Sequence, residues 1–251
     1  MIVRLTLGGV VMAELDHTVL LAMGIIFLGA FVQSAIGFGL AIVAAPLLFL
    51  VSPDYVPAPI VMVALFNSLF NAYKYRNNIA IGGLKMAIYG RVPGSIAGGV
   101  LLLYVSSAAL SLWLGGMVLL AVLISLLPLR FEPTPNRMAV AGFFSGFMGT
   151  SSSIGGPPMA LILQHQDASS LRGNLAAFFV FSSIISLIVQ YFIGYLTWQH
   201  FVMTLPLLPM GWLGYVAAQV VVKYVSKQWI RIFTLVLCSA SGLTAIFRAF
   251  S

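Results

Sequence analysis

Charge is what this chain has least of. Asp, Glu, Lys and Arg make up 7% of its 251 residues, against about 25% in an average soluble domain. Acid is scarcer still: five Asp and Glu stand against twelve Lys and Arg. That poverty excludes an ordinary soluble enzyme and a disordered chain. Despite a net charge of +7, cations spread so thinly make no dense patch, so nucleic acid is excluded as a partner. A single cysteine, Cys238, excludes a disulfide framework and a Cys-based metal site. It lies in the apolar run Phe233 to Ala240 and reads as a small packed hydrophobe. There is no G-x-S-x-G, no H-E-x-x-H, no Walker motif and no pair of acids at catalytic spacing. On the enzyme side that leaves only a dyad of Ser151–Ser153 with His165.

What fills the space is apolar, 61% of residues. If a span with its loop takes roughly 25 residues, the length holds about ten segments. They run Thr18–Ser34, Ile36–Val51, Pro57–Tyr73, Leu84–Tyr104, Ala108–Leu127, Ala139–Gly149, Ile154–Gln164, Leu171–Tyr195, Phe201–Val222 and Trp229–Phe250. They show no alternation of period two, which excludes a β-barrel. The expectation is an all-α polytopic membrane protein. The first sixteen residues form a separate short segment, with Met1 or Met12 as the start.

Two runs are short. Ala139–Gly149 and Ile154–Gln164 are 11 residues each, which as helices cover about 16 Å of a roughly 30 Å core. The polar stretch Thr150–Ser153 separates them. The first pair, Thr18–Ser34 and Ile36–Val51, likewise meets at a glycine break, Gly37-Phe38-Gly39. Both pairs read as hairpins of broken or re-entrant helices. The halves also repeat: Pro46 aligns with Pro158, Phe31 with Phe143 and Gly37 with Gly149. Further on, Pro93–Gly98 matches Pro209–Gly214, and Tyr104-Val105-Ser106 matches Tyr224-Val225-Ser226. This organises the chain as a terminal segment 1–16, a repeat 17–128, a linker 129–137 and a repeat 138–251, with about five segments per repeat. An odd count inverts one repeat relative to the other, as in many secondary transporters.

Charge orients the bundle. With the ten segments counted separately, Lys74, Arg76, Lys85, Arg130, Arg137, Arg172, Lys223, Lys227 and Arg231 fall on one side. Only Arg4 and Arg248 fall on the other, with Glu14, Asp16 and Asp54. The basic side is then cytoplasmic and both termini are external, in an inner membrane.

Polar residues inside the runs mark a candidate site. Ser151, Ser152 and Ser153, with Gly155 and Gly156, precede Pro157-Pro158, which suits the first turn of a helix. Such a break can present hydroxyls and backbone N–H groups to an anion, or let helices pack closely. Its first-half counterpart contains Gln33, Ser34, Gly37 and Gly39. Asn67 and Asn71 share one helix face and can donate to a substrate or to a neighbouring helix, whereas Gln190 suits packing. Arg91 lies about two turns inside its run, where it either snorkels to the surface or enters the cavity as a fixed cation. Arg172 opens the eighth segment as a positive-inside residue or a gate. All five acids and all three histidines sit at segment ends, so no buried proton relay is visible. An anion leaving a negative cytoplasm gains about 2.3 kcal/mol per charge at 100 mV, which leans toward efflux.

Gly37-Phe38-Gly39 followed by Ala45-Pro46-Leu47-Leu48 resembles the first-repeat signature of the sulfite exporter TauE/SafE family of membrane permeases. Ala141–Gly149, running into Gly155-Gly156-Pro157-Pro158, is similar to its second-repeat signature, and the Pro93–Gly98 and Pro209–Gly214 elements fit as well. Thr150–Ser153 departs from that pattern, where a glycine-rich or isoleucine-glycine stretch is usual. The resemblance implies transport of small sulfur-containing anions such as sulfite or sulfonates, with some members handling other carboxylates. The expectation is therefore a permease working by alternating access. An anion channel, an intramembrane hydrolase and a structural subunit are the competing readings. Its partners are a small anion and the bilayer, with a homodimer left open; no cofactor and no metal are expected.

Overall fold

A computed structural model describes residues 6, 7, 10, 11, 17–126 and 131–222, with further helical residues between 232 and 247. Arg4, Glu14, Asp16, Arg130, Lys223, Lys227, Arg231, Cys238 and Arg248 lie outside the described residues, as does most of the run Trp229–Phe250. The regular structure of the described residues is helical apart from a two-residue antiparallel pairing of Thr6–Leu7 with Val10–Val11. Up to residue 222, ten α-helices follow among the described residues: α1 His17–Ile36, α2 Leu40–Val51, α3 Ala58–Lys74, α4 Ile81–Tyr104, α5 Ser107–Leu126, α6 Pro135–Ser152, α7 Gly156–Leu163, α8 Ala168–Phe192, α9 Trp198–Thr204 and α10 Leu207–Val221. Among the described residues, four helical stretches are long and apolar enough to cross a membrane, and the bent pair α9–α10 makes a fifth. Large apolar side chains such as Leu21, Leu103, Ile188, Phe192 and Trp212 stay exposed on these helices, as a lipid-facing surface requires.

The helix boundaries follow local chemistry. Gly37 and Gly39, at φ of +100° and +113°, take a left-handed conformation that a side chain would strain, and they fold α2 back against α1. Helix α8 starts where the Asp167 carboxylate accepts the N–H groups of Ser169 and Ser170 at 3.0 and 3.1 Å, an N-cap. Pro157 and Pro158 occupy the first turn of α7.

Two boundaries correct the expectation. The run Ala139–Gly149 lies inside an 18-residue helix, about 27 Å long, so the helix is well over the length of its apolar run, although it is not among the stretches apolar enough to cross. Pro135 starts it early, capped by Thr134. At the other end Ser151 and Ser152 donate to the carbonyls of Phe147 and Met148 four residues back, at 2.6 and 2.7 Å. Hydroxyls satisfied in this way continue a helix rather than break it, and the break falls at Ser153, with φ of +67°. Helix α7 does stay short, at eight residues. The run Phe201–Val222 is not continuous either: it bends by 43° between α9 and α10, around Pro206.

Packing between the halves is reciprocal. Helix α4 lies along α6, α10 lies along α1, and α3 meets α8. The tightest seam is α4 on α6. A Cβ added at Gly90, Gly94 or Gly98 would stand 2.0, 2.0 and 2.4 Å from the carbonyl oxygens of Ala139, Phe143 and Phe147. Both series advance together, so the helices run parallel and bring Lys85 and Arg137 to the same end. Arg172 donates to the Tyr75 hydroxyl, adding itself, Lys74 and Arg76 to that end. Asp54 lies at the far end of α3.

Candidate functional site

Arg91 sits ten residues into α4, about 15 Å along its axis, and is 2% exposed. Of the two placements open to it in the sequence, it takes the inner one. Nη1 donates to the backbone carbonyl of Ser145 and, at 2.8 Å, to its hydroxyl. Nη2 donates to Ser186 Oγ at 2.8 Å and to the Ser182 carbonyl at 3.4 Å. The Phe178 ring lies 5.9 Å from the guanidinium carbon. Nε is buried with no partner, and no carboxylate faces the group among the described residues. Asp54, Glu132 and Asp167 are all exposed.

Two glycines make room for this cation. A Cβ at Gly149 would lie 2.7 Å from Nη2, and one at Gly155 would lie 2.9 Å from Nη1. The second break is thus built around a guanidinium, with Ser145 Oγ also donating to the Gly155 carbonyl. Beside it opens a cavity of about 470 Å³ of empty space, part of it open to solvent. Arg91, Gly149, Ser153, Gly155, Ser182 and Ser183 line one part, Gln33 and Gly39 border it from the first hairpin, and Leu40, Ile42, Val61 and Phe179 supply apolar wall. The breaks touch directly, for a Cβ on Gly156 would meet Phe38 at 3.2 Å.

The remaining candidates divide into frame and edge. Ser34 donates to Asn67 Oδ1 at 3.2 Å, and Asn71 donates to Ser34 Oγ at 3.1 Å and to the Asn67 carbonyl at 2.9 Å. This buried chain knits α1 to α3. Gln33 joins it by donating to Ser68 Oγ at 2.9 Å. Ser151 accepts Trp113 Nε1–H at 3.1 Å, and Ser152 accepts the Ile154 N–H at 3.4 Å. Ser153 donates to the Pro57 carbonyl at 3.2 Å. Gly37 packs on Arg172, which is half-buried and donates to the Ala35 carbonyl and to Tyr75 Oη, the latter at 3.1 Å. That contact ties α8 to the tip of the first hairpin. Gln190 donates to the Thr150 carbonyl at 3.0 Å, a packing bond.

Sequence reasoning did not single out Ser145, Ser182 and Ser186 as partners of Arg91. Their signal was present: Ser182, Ser186 and Gln190 are spaced by four on α8, one polar stripe on a single face.

A helical bundle with apolar helices long enough to span a membrane, a cavity between two broken hairpins and a buried cation facing no acid among the described residues has the build of a small-molecule transporter. Residues 21–245 match the family described as sulfite exporter TauE/SafE. The chain belongs to that family, one of membrane transporters of sulfite or related anions. Comparison with curated proteins and with solved structures returns no match.

Proposed function

We propose that the chain carries a small oxyanion across the inner membrane by alternating access, with the anion bound in the cavity between the hairpins and held by Arg91. The observation that carries this reading is a guanidinium buried at 2% exposure, bordering a cavity and facing no acid among the described residues. A charge in that position is costly unless something neutralises it. Gln33, Gly39, Ser153, Gly155, Gly156, Ser182 and Ser183 complete the site with neutral groups. Ser34, Asn67, Asn71, Ser151 and Ser152 act as its frame, and Arg172 as a latch toward the basic end. The halves act as inverted repeats that rock against each other. Positive-inside bias makes the end with Lys74, Arg76, Lys85, Arg137 and Arg172 cytoplasmic, and a negative interior then favours efflux.

Melting of the purified protein tests the site. Sulfite and methanesulfonate at millimolar concentration raise Tm above matched chloride, and Arg91→Gln removes that rise. An unchanged response in Arg91→Gln refutes the assignment. A channel would be recognised by flux that neither saturates nor supports counterflow.

A further inference from the structure

We infer that the cavity takes an anion of one charge and that Arg91 neutralises it, so the loaded carrier changes its open side without moving net charge while the empty carrier returns with one positive charge. This rests on the transport reading above. The fixed charge of the site can be counted. Among the described residues that line the cavity, Arg91 is the one ionisable group, and an arginine keeps its proton under all ordinary conditions. Its Nη groups are held by neutral hydroxyls and carbonyls of Ser145, Ser182 and Ser186, while Nε has no partner and is sealed from solvent. One positive charge remains uncompensated at the edge of the cavity. A dianion would leave an uncompensated negative charge among Leu40, Ile42, Val61 and Phe179, which burial penalises.

When a rocking carrier exchanges the side to which its site opens, the charge held there crosses the membrane field. Guanidinium plus monoanion sums to zero, and guanidinium alone to plus one. A negative interior therefore draws the empty site back inward and accelerates net export, but leaves one-for-one exchange of anion untouched. Sensitivity to potential is assigned to the empty step by a single side chain.

The experiment uses the purified full chain in liposomes, with the potential set by a potassium gradient and valinomycin. The probe is labelled methanesulfonate, which carries one charge at every pH. Exchange of methanesulfonate for itself is expected to keep its rate as the potential is raised. Net flux should change several-fold, inside the limit of about 50-fold that one charge moved through ~100 mV allows. Arg91→Lys keeps that pattern, whereas Arg91→Gln, which lacks the group that holds the anion, carries neither flux. Exchange against net flux in the wild type and Arg91→Lys therefore decides. Potential-dependent exchange in the wild type overturns the inference, as does carriage of ethanedisulfonate in preference to methanesulfonate, or of sulfite without methanesulfonate. Absence of flux for both sulfite and methanesulfonate overturns the transport reading itself, and this inference with it.

Discussion

Replacing Gly94 by alanine is expected to unseat α4 from α6. The added Cβ would stand 2.0 Å from the Phe143 carbonyl oxygen and 2.9 Å from its Cα, whereas comfortable carbon contacts begin at about 3.5 Å. The obstruction is backbone, so no rotamer change relieves it, and the seam must open by roughly 1 Å or more. Overpacking in a rigid interior costs about 1–3 kcal/mol, and this geometry belongs at the upper end. At ~2–4 °C per kcal/mol for a chain of this size, Tm in detergent should fall by about 6–12 °C. The control is Gly116→Ala in α5, where an added Cβ meets nothing within 4 Å, and no loss is expected there. The seam also makes a sharper demand. Gly90 faces Ala139 at the same 2.0 Å, so a seam already opened by one substitution accepts the other more cheaply. Gly90→Ala with Gly94→Ala should cost clearly less than the two single losses added together. Arg91 lies between these glycines, so opening also draws its guanidinium from Ser145 and weakens the sulfite-induced rise in Tm. A Gly94→Ala protein melting within a degree or two of the wild type would show that α4 and α6 do not pack in this register.

Gly149→Ala displaces a side-chain end rather than backbone, since its Cβ would lie 2.7 Å from Nη2 of Arg91. The protein should fold near-normally and lose one or two charge-assisted bonds of ~1.5–3 kcal/mol each, read as at least a ten-fold weaker sulfite response in a melting titration; unchanged affinity refutes it. At Ser153, φ of +67° strains any side chain, by about 1 kcal/mol, and the hydroxyl bonds Pro57. Ser153→Ala keeps the strain and loses the bond, whereas Ser153→Gly loses both, so the glycine variant should melt above the alanine variant; the reverse order removes the strain argument. Hydrogen bonds from the Ser170 hydroxyl and backbone hold the Asp167 carboxyl below its usual range. Its contribution is therefore complete at neutral pH, persists to about pH 4, and is lost as pH falls through the depressed folded value. Asp167→Asn keeps a capping oxygen without a charge; its Tm deficit should be constant above about pH 4 and shrink below it, and a deficit unchanged to pH 3 contradicts the assignment.

The fold was legible where its signals are local. Gly37-Phe38-Gly39 and Pro157-Pro158 mark hairpin breaks because left-handed backbone and missing N–H groups are properties of single residues. The stretch Thr150–Ser152 misled because a hydroxyl serves a loop or the carbonyl four residues back equally well, and only the surroundings decide. The bend at Pro206 lay hidden in a continuous apolar run. For the site, the sequence placed Arg91 about two turns inside its run, but depth says nothing of rotation, so snorkelling and an inward guanidinium stayed equivalent until α6 and α8 were in place. The spacing of Gly90, Gly94 and Gly98 by four was there to be read as a small-residue seam. Its partner helix was not, since α6 lies in the other half of the chain.

That no acid stands beside Arg91 among the described residues makes chemical sense for a carrier. A carboxylate on α6 or α8 would satisfy the guanidinium permanently, and an incoming oxyanion would then have to displace a partner held at the effective concentration of a folded interior. Hydroxyls and carbonyls solve a different problem: Ser145, Ser182 and Ser186 orient the cation and occupy four of its donor contacts without cancelling its charge. They keep it available. A lysine in the same place would be a point charge free to swing toward the surface on a flexible stem, whereas the planar guanidinium can be pinned by two nitrogens while a third donor stays unused. The glycines at 149 and 155 then have one function in common, clearing the volume that the pinned head occupies. On the proposed reading, scarce charge in the sequence and a buried cation facing no acid among the described residues are two views of one requirement, that the balancing charge come and go with the substrate.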